Sequence, residues 1–219
     1  MALTKFNYNS FDVTPVASKA LAFNSDADGF TTAAEGSMEL IKTLTASSDA
    51  TLSFLDGADD VVFDGTYPIY VFKFINMHAE TDVKNFTFQV DTGTNTSYNQ
   101  TVTSTVFRAY HTEDDGTTDF SFKDQADQEQ GTAFQIIADT PKNDNDASTS
   151  GTLTIFSPSS STFVKHWMAT MNVARATASE NYFIAGYFNT TTALTRVQFK
   201  YAADNIDAGT IKLYGLKDS

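Results

Sequence analysis

With 219 residues, 19 Phe and 9 Tyr among 41% hydrophobic side chains, the chain is large enough to bury one substantial core. Twenty-seven acidic residues against 14 scattered basic ones leave a net charge of −13. That balance argues against a phosphate-binding nucleic-acid surface and an anionic membrane surface, both of which need clustered Lys and Arg. The absence of cysteine excludes thiolate catalysis, disulfides and Cys-based metal sites together. No apolar run approaches a membrane span, and Met1 to Phe6 lack the apolar core of a signal peptide, so synthesis in the cytosol is expected.

In chain order, residues 1–36 read as an extended N-terminal arm. Thr14-Pro15 interrupts any early element, residues 17–23 suit one or two helical turns, and Gly29 and Gly36 punctuate the remainder of the arm. A stretch this polar and rich in Ala and Ser cannot pack a core alone. It is expected to fold back on the rest of the chain or to clasp a neighbouring subunit.

A β body is expected over 37–219. Apolar and polar residues alternate with period two in Phe86-Thr87-Phe88-Gln89-Val90, as a half-buried strand requires. Similar runs predict strands at 38–45, 51–55, 69–77, 152–156, 163–171, 182–188, 197–201 and 210–216. Loops fall at 56–65, 91–97, 113–119, 142–150, 157–162 and 202–208, and only 124–131 has helical character. Strand spacing near ten residues without intervening helices predicts an all-β, antiparallel, jelly-roll-like β-sandwich of two sheets packed face to face. The final strand, 210–216, is short, aromatic and terminal. It is the expected open edge, through which three copies would pack around an axis.

Candidate chemistry is sparse. Asn24, Asp26 and Asp28, with Gly29 and then Glu35, match the spacing of a calcium loop, with Asn at the first ligand position. Thr31 stands where an apolar residue is usual, Gly36 comes directly after the Glu, and no amphipathic helix precedes. An Asx-rich turn is the competing reading. Asn143, Asp144, Asn145 and Asp146 pose the same choice. His78, His111 and His166 lie on separate strand ends without His-x-His spacing and read as strand-end polar residues.

No Gly-x-Ser-x-Gly elbow and no glycine-rich phosphate loop occurs. The carboxylate pairs Asp59/Asp60 and Asp114/Asp115 sit in loops and read as solvated. Four Asn-x-Ser/Thr matches, at Asn85, Asn95, Asn99 and Asn189, are read as chance in an Asn/Thr-rich chain without a secretory signal. Trp167 reads as core in preference to a sugar-stacking platform. No catalytic residue, cofactor or metal is therefore assigned.

Three segments carry a family likeness: Phe107-Arg108-Ala109-Tyr110-His111, the run from Asn181 to Thr190 (NYFIAGYFNT), and the run from Ile206 to Gly215 (IDAGTIKLYG). From Ser37 onward the chain resembles a family of virion structural proteins of marine tailed bacteriophages. The resemblance implies a non-enzymatic virion component assembled in the host cytoplasm. The form expected first is a capsid decoration, or cement, protein, homotrimeric and bound to the major capsid protein or other virion proteins. The alternative is a tail-fibre or receptor-binding module that recognises host-surface glycans.

Overall fold

The computed structural model describes residues 21–23, 30–32, 37–139 and 141–218. The chain divides into two units, Met1–Ser37 and Met38–Ser219.

In the first unit, β1 (Leu21–Phe23) pairs antiparallel with β2 (Phe30–Thr32). Phe23 and Phe30 are cross-strand partners whose rings stack at 5.0 Å. Residues 21–23 are thus extended, which corrects the helical turn expected there; residues 17–20 lie outside the described residues. The physical reason is the aromatic pair, which only cross-strand pairing brings together.

The second unit is all-β and antiparallel. Its strands are β3 (Met38–Asp49), β4 (Leu52–Leu55), β5 (Ile69–Ala79), β6 (Phe86–Thr92), β7 (Val102–Thr112), β8 (Thr118–Phe122) and β9 (Glu129–Gly131), then β10 (Gln135–Ala138), β11 (Thr149–Phe156), β12 (Lys165–Arg175), β13 (Ala178–Phe188), β14 (Leu194–Tyr201) and β15 (Ile206–Leu216). Four strands form a small sheet in the order β10-β6-β14-β4. The other nine form a large one in the order β3-β15-β5-β11-β12-β13-β7-β8, with β9 also paired to β7. The result is a β-sandwich of unequal sheets. A jelly roll distributes eight strands over two Greek keys; here the division is nine to four, and the strand order supports the broader description.

Alternation decides which side chains meet between the sheets. Along β12, Lys165, Trp167, Ala169, Met171 and Val173 are buried while His166, Met168, Thr170, Asn172 and Ala174 are exposed. Trp167 is fully buried and meets Phe88 of the small sheet edge-on at 5.0 Å, as the core reading expects. Phe199 of β14 meets Phe72 and Phe74 of β5 at 5.2 and 5.1 Å, again edge-on. These inter-sheet aromatic contacts are the centre of the core.

Two further expectations are corrected. Strand β15 is not an edge: it pairs with β3 on one side and β5 on the other. Terminal position in sequence says nothing about position in a sheet when the first long strand returns to cover the last. Segment 124–131 holds no helix: it is a turn closed by the Ala126 N–H on the Lys123 carbonyl, then the short strand β9. Here the side chains of Gln128 and Gln130 bond to Ala133 and Thr103 instead of supporting a helical turn. Strands β7, β8, β9 and β10 are additions to the set that alternation predicts.

The two sheets differ in how their outer faces are treated. In β6 every residue from Phe86 to Asp91 is buried. Phe86, Phe88 and Val90 point into the core, and Thr87, Gln89 and Asp91 point outward under loops. Gln89 Nε2 donates to the Gln100 and Ala133 carbonyls, and Asp91 accepts from the Tyr98 N–H and from Gln100 Nε2. The small sheet is therefore roofed by hydrogen-bonded loops. The large sheet is not roofed in this way by the described residues of Met38–Ser219.

Candidate functional site

The outer face of the large sheet, left open by the described residues of Met38–Ser219, is the feature best placed to act on something outside the molecule. Strand registers assemble it in rows. One row runs from Leu40 through Tyr214, Val71, Thr154, Met168 and Ala185 to Thr105. The next runs from Thr43 through Lys212, Lys73, Thr152, Thr170, Phe183 and Phe107 to Phe122. Below it lie Thr45, Thr210 and Ile75 at one side, and Asn172, Asn181, Ala109 and Phe120 at the other.

No carboxylate occurs in these three rows, although the chain carries 27. Their only charges are Lys73 and Lys212, directly paired neighbours that have no ion-pair partner among the described residues. At the opposite side is an aromatic cluster: Phe107 stacks on Phe183 at 5.1 Å and meets Phe120 at 5.3 Å, and Phe120 and Phe122 are 71% and 66% exposed. Met168, 57% exposed, stands between two recesses. One, of about 260 Å³, is walled by Phe107, Phe183 and the threonines Thr105, Thr152, Thr154 and Thr170. The other, of about 520 Å³, is walled by Phe156, His166 and Tyr187. A broad apolar face with few charges has the composition of an interface centre.

Two buried charged groups elsewhere are committed to structure. Glu180 of β13 is fully buried: Arg175 donates to its Oε1 at 2.9 Å, Arg108 donates to the same oxygen, and the Tyr182 hydroxyl donates to Oε2 at 2.6 Å. Burial first, then the bond to Glu180, pushes the Tyr182 hydroxyl above its ordinary value. This quartet ties β7, β12 and β13 and offers no open oxygen to a substrate. The buried Lys165 ammonium donates to the Phe163 and Thr190 carbonyls at 2.9 and 3.2 Å, and burial lowers its pKa. It ties the segment before β12 to the segment after β13, which lie side by side at one end of the pair.

The residues singled out in the sequence are not brought together. Asn24, Asp26, Asp28 and Glu35, the candidate calcium ligands, lie outside the described residues. In the second acidic loop, Asn143 is tied to Asp82 and Glu80, and the Ala147 N–H bonds to the Asp144 carbonyl. That is a hydrogen-bonded turn. His78 stands between Asp207, 3.3 Å from Nδ1, and the Asp144 carbonyl, 3.2 Å from Nε2. A polar recess of about 490 Å³ opens here, walled by His78, Asp207 and Asp146 beside a bulge where Asn76 has φ of 50°. His111 pairs with Asp115, and His166 faces Tyr187 on the other end of the sheet. Among the described residues no group of three or more His, Asp or Glu converges to hold a metal. Asp59 pairs with Lys42, and Asp114 accepts from the Gly116 N–H within its own turn.

Sequence reading missed the exposed face as a site. The signal lay in dyads such as Thr152-Leu153-Thr154 and Phe120-Ser121-Phe122, where alternation aims two like side chains outward. Which face remains uncovered depends on where loops from distant segments settle. No protein-family model, no curated protein and no solved structure matches the chain.

Proposed function

We propose that this chain is a non-enzymatic structural protein of a phage virion, a capsid decoration protein that binds the outer head surface and stabilises capsomer contacts. The phage assignment rests on the likeness carried by residues 107–111, 181–190 and 206–215, which lie on β7, β13 and β15 and the turn after β13. The observation that carries the assembly role is the three central rows of the large sheet's outer face, aromatic, threonine-rich and free of carboxylate on an otherwise strongly acidic molecule; the next row reaches an exposed carboxylate at Glu129. Such a face suits contact with protein, because interface centres are poor in charge and rich in aromatic residues and Met. The acidic remainder favours solubility and discourages indiscriminate association. Packing of three copies through β15 lacks the open edge it requires, since β15 is paired on both sides; among the described residues the outermost strands of the large sheet are β3 and β8.

A second reading, a receptor-binding module for host-surface glycans, is favoured by the recess of about 520 Å³ beside Tyr187, His166 and Phe156. The distinguishing experiment is a density map of purified particles together with heads assembled without this protein. The decoration role expects the chain on the head exterior and rupture of the deficient heads at lower temperature. Heads equally robust without it, with the chain at the tail, would replace that role with receptor binding.

A further inference from the structure

We infer that the outer face of the large sheet is covered by the same face of a second copy, forming a two-fold symmetric pair. The inference rests on the reading of this face as an assembly surface, not on where the assembly resides. Three observations carry it: size, the order of side chains along the central row, and the placement of charge.

Eight strands about 4.8 Å apart span about 34 Å, and the exposed rows cover about 20 Å along the strands, a footprint on the order of 700 Å². A standard stable interface takes about 800 Å² from each partner. The face is therefore large enough for a dimer and far larger than a small ligand needs.

The central row is complementary to its own reverse. Read across the sheet it is Lys212, Lys73, Thr152, Thr170, Phe183, Phe107. A two-fold axis parallel to the strands, between β11 and β12, sets each position against its mirror in the row. Thr152 then meets Thr170 of the second copy, Lys73 meets Phe183, and Lys212 meets Phe107. Among the described residues neither lysine has an acidic partner, and each aromatic ring lies exposed or half-buried, so the pairing supplies cation–π contacts at both ends. In the row above, Met168 meets Thr154 and Tyr214 meets Thr105, a large side chain against a smaller one each time. Residue i meets j and j meets i, the condition for a closed isologous interface.

Charge favours this surface over any other for self-contact. Two molecules of net charge −13 repel wherever their carboxylates meet. Here they approach through three rows holding no carboxylate at all. The remaining long-range repulsion is screened by salt, so the pair tightens as salt is added from low ionic strength.

The test uses the full chain in solution. Light scattering at micromolar concentration is expected to give a dimer, with dissociation increasing at least tenfold at low salt. M168D, which places a carboxylate at the centre of the face, is expected to run as a monomer with an unchanged far-UV circular dichroism spectrum. The absence of native cysteine allows a geometric check. When K212C protein is mixed with F107C protein, a bismaleimide spanning the about 10 Å between packed sheets should link the two. Neither variant should link to itself, because like positions lie about five strand spacings apart. A monomer at tens of micromolar, an oligomer indifferent to M168D, a monomer whose face binds neutral oligosaccharides instead, or a dimer in which the mixed variants fail to link would each overturn the proposal.

Discussion

Phe199→Ala is the sharpest test of where the core of this sandwich lies. Phe199 is fully buried on β14 and its ring is surrounded by five others. Phe72 and Phe74 approach from the large sheet at 5.2 and 5.1 Å, and Phe54, Phe86 and Phe88 lie beside it in the small sheet at 6.2, 6.2 and 6.1 Å. Truncating a core Phe to Ala costs about 3–5 kcal/mol, the spread reflecting how far the site collapses. Collapse is restricted here because β14 and β5, and β6 beside them, are each held in ladders on both sides. Two edge-on pairs across the sheets are lost as well, each contributing about 0.5–1.5 kcal/mol beyond burial. The expected loss is therefore near the top of the range, about 4–5 kcal/mol. For a body of this size that lowers Tm by roughly 8–20 °C. Urea unfolding should be followed by the fluorescence of Trp167, the single Trp, whose ring meets Phe88, and in parallel by far-UV circular dichroism. The two probes should coincide, with an unchanged m-value and a lower midpoint. Phe163→Ala, at a ring 71% exposed, should move stability by less than about 0.5 kcal/mol. A loss below about 2 kcal/mol for Phe199→Ala would refute the assignment of this ring as the closure between the sheets.

Buried polar groups and close backbone approaches set the remaining expectations. Burial raises the hydroxyls of Tyr70, Tyr182 and Tyr201 above their ordinary value. The native state then keeps protons that the unfolded chain loses above about pH 10, so stability is full below that pH and falls as pH rises beyond it; denaturation midpoints from pH 8 to about 11 should show this. Tyr201 has no hydrogen-bond partner for its hydroxyl among the described residues, so Tyr201→Phe should match or exceed the parent by up to about 1 kcal/mol and flatten that alkaline slope. Glu180→Gln should cost about 2–3 kcal/mol in a urea titration. That is less than for a fully buried pair because Arg108 and Arg175 keep 19% and 27% of their surface and can turn to water. At Gly186 an added Cβ would lie 2.6 Å from the Thr103 carbonyl and 2.7 Å from the Trp167 ring, so Gly186→Ala should lower Tm and shift Trp167 fluorescence, at a cost of about 1–3 kcal/mol.

Period-two alternation alone was enough to place most of the strands and the class of fold, because a pleated strand with one buried face leaves its mark on consecutive residues. It was enough for Trp167 too: the residues on either side of it, His166 and Met168, point outward on the same strand. Alternation does not say which strand neighbours which. The pairing of β15 with β3 joins residues as distant as Thr45 and Thr210, 165 positions apart, and no local signal records it. Nor does alternation distinguish an outward side chain that loops will roof from one left open. Gln89 and Phe183 both read as the outward half of a strand. Gln89 is sealed under backbone carbonyls from residues 100 and 133, while Phe183 remains on a face nothing in Met38–Ser219 covers. The candidate surface was thus written in the sequence as threonines and phenylalanines two apart. Only tertiary structure decided that eight strands would set them side by side, free of carboxylates and large enough to receive another protein surface.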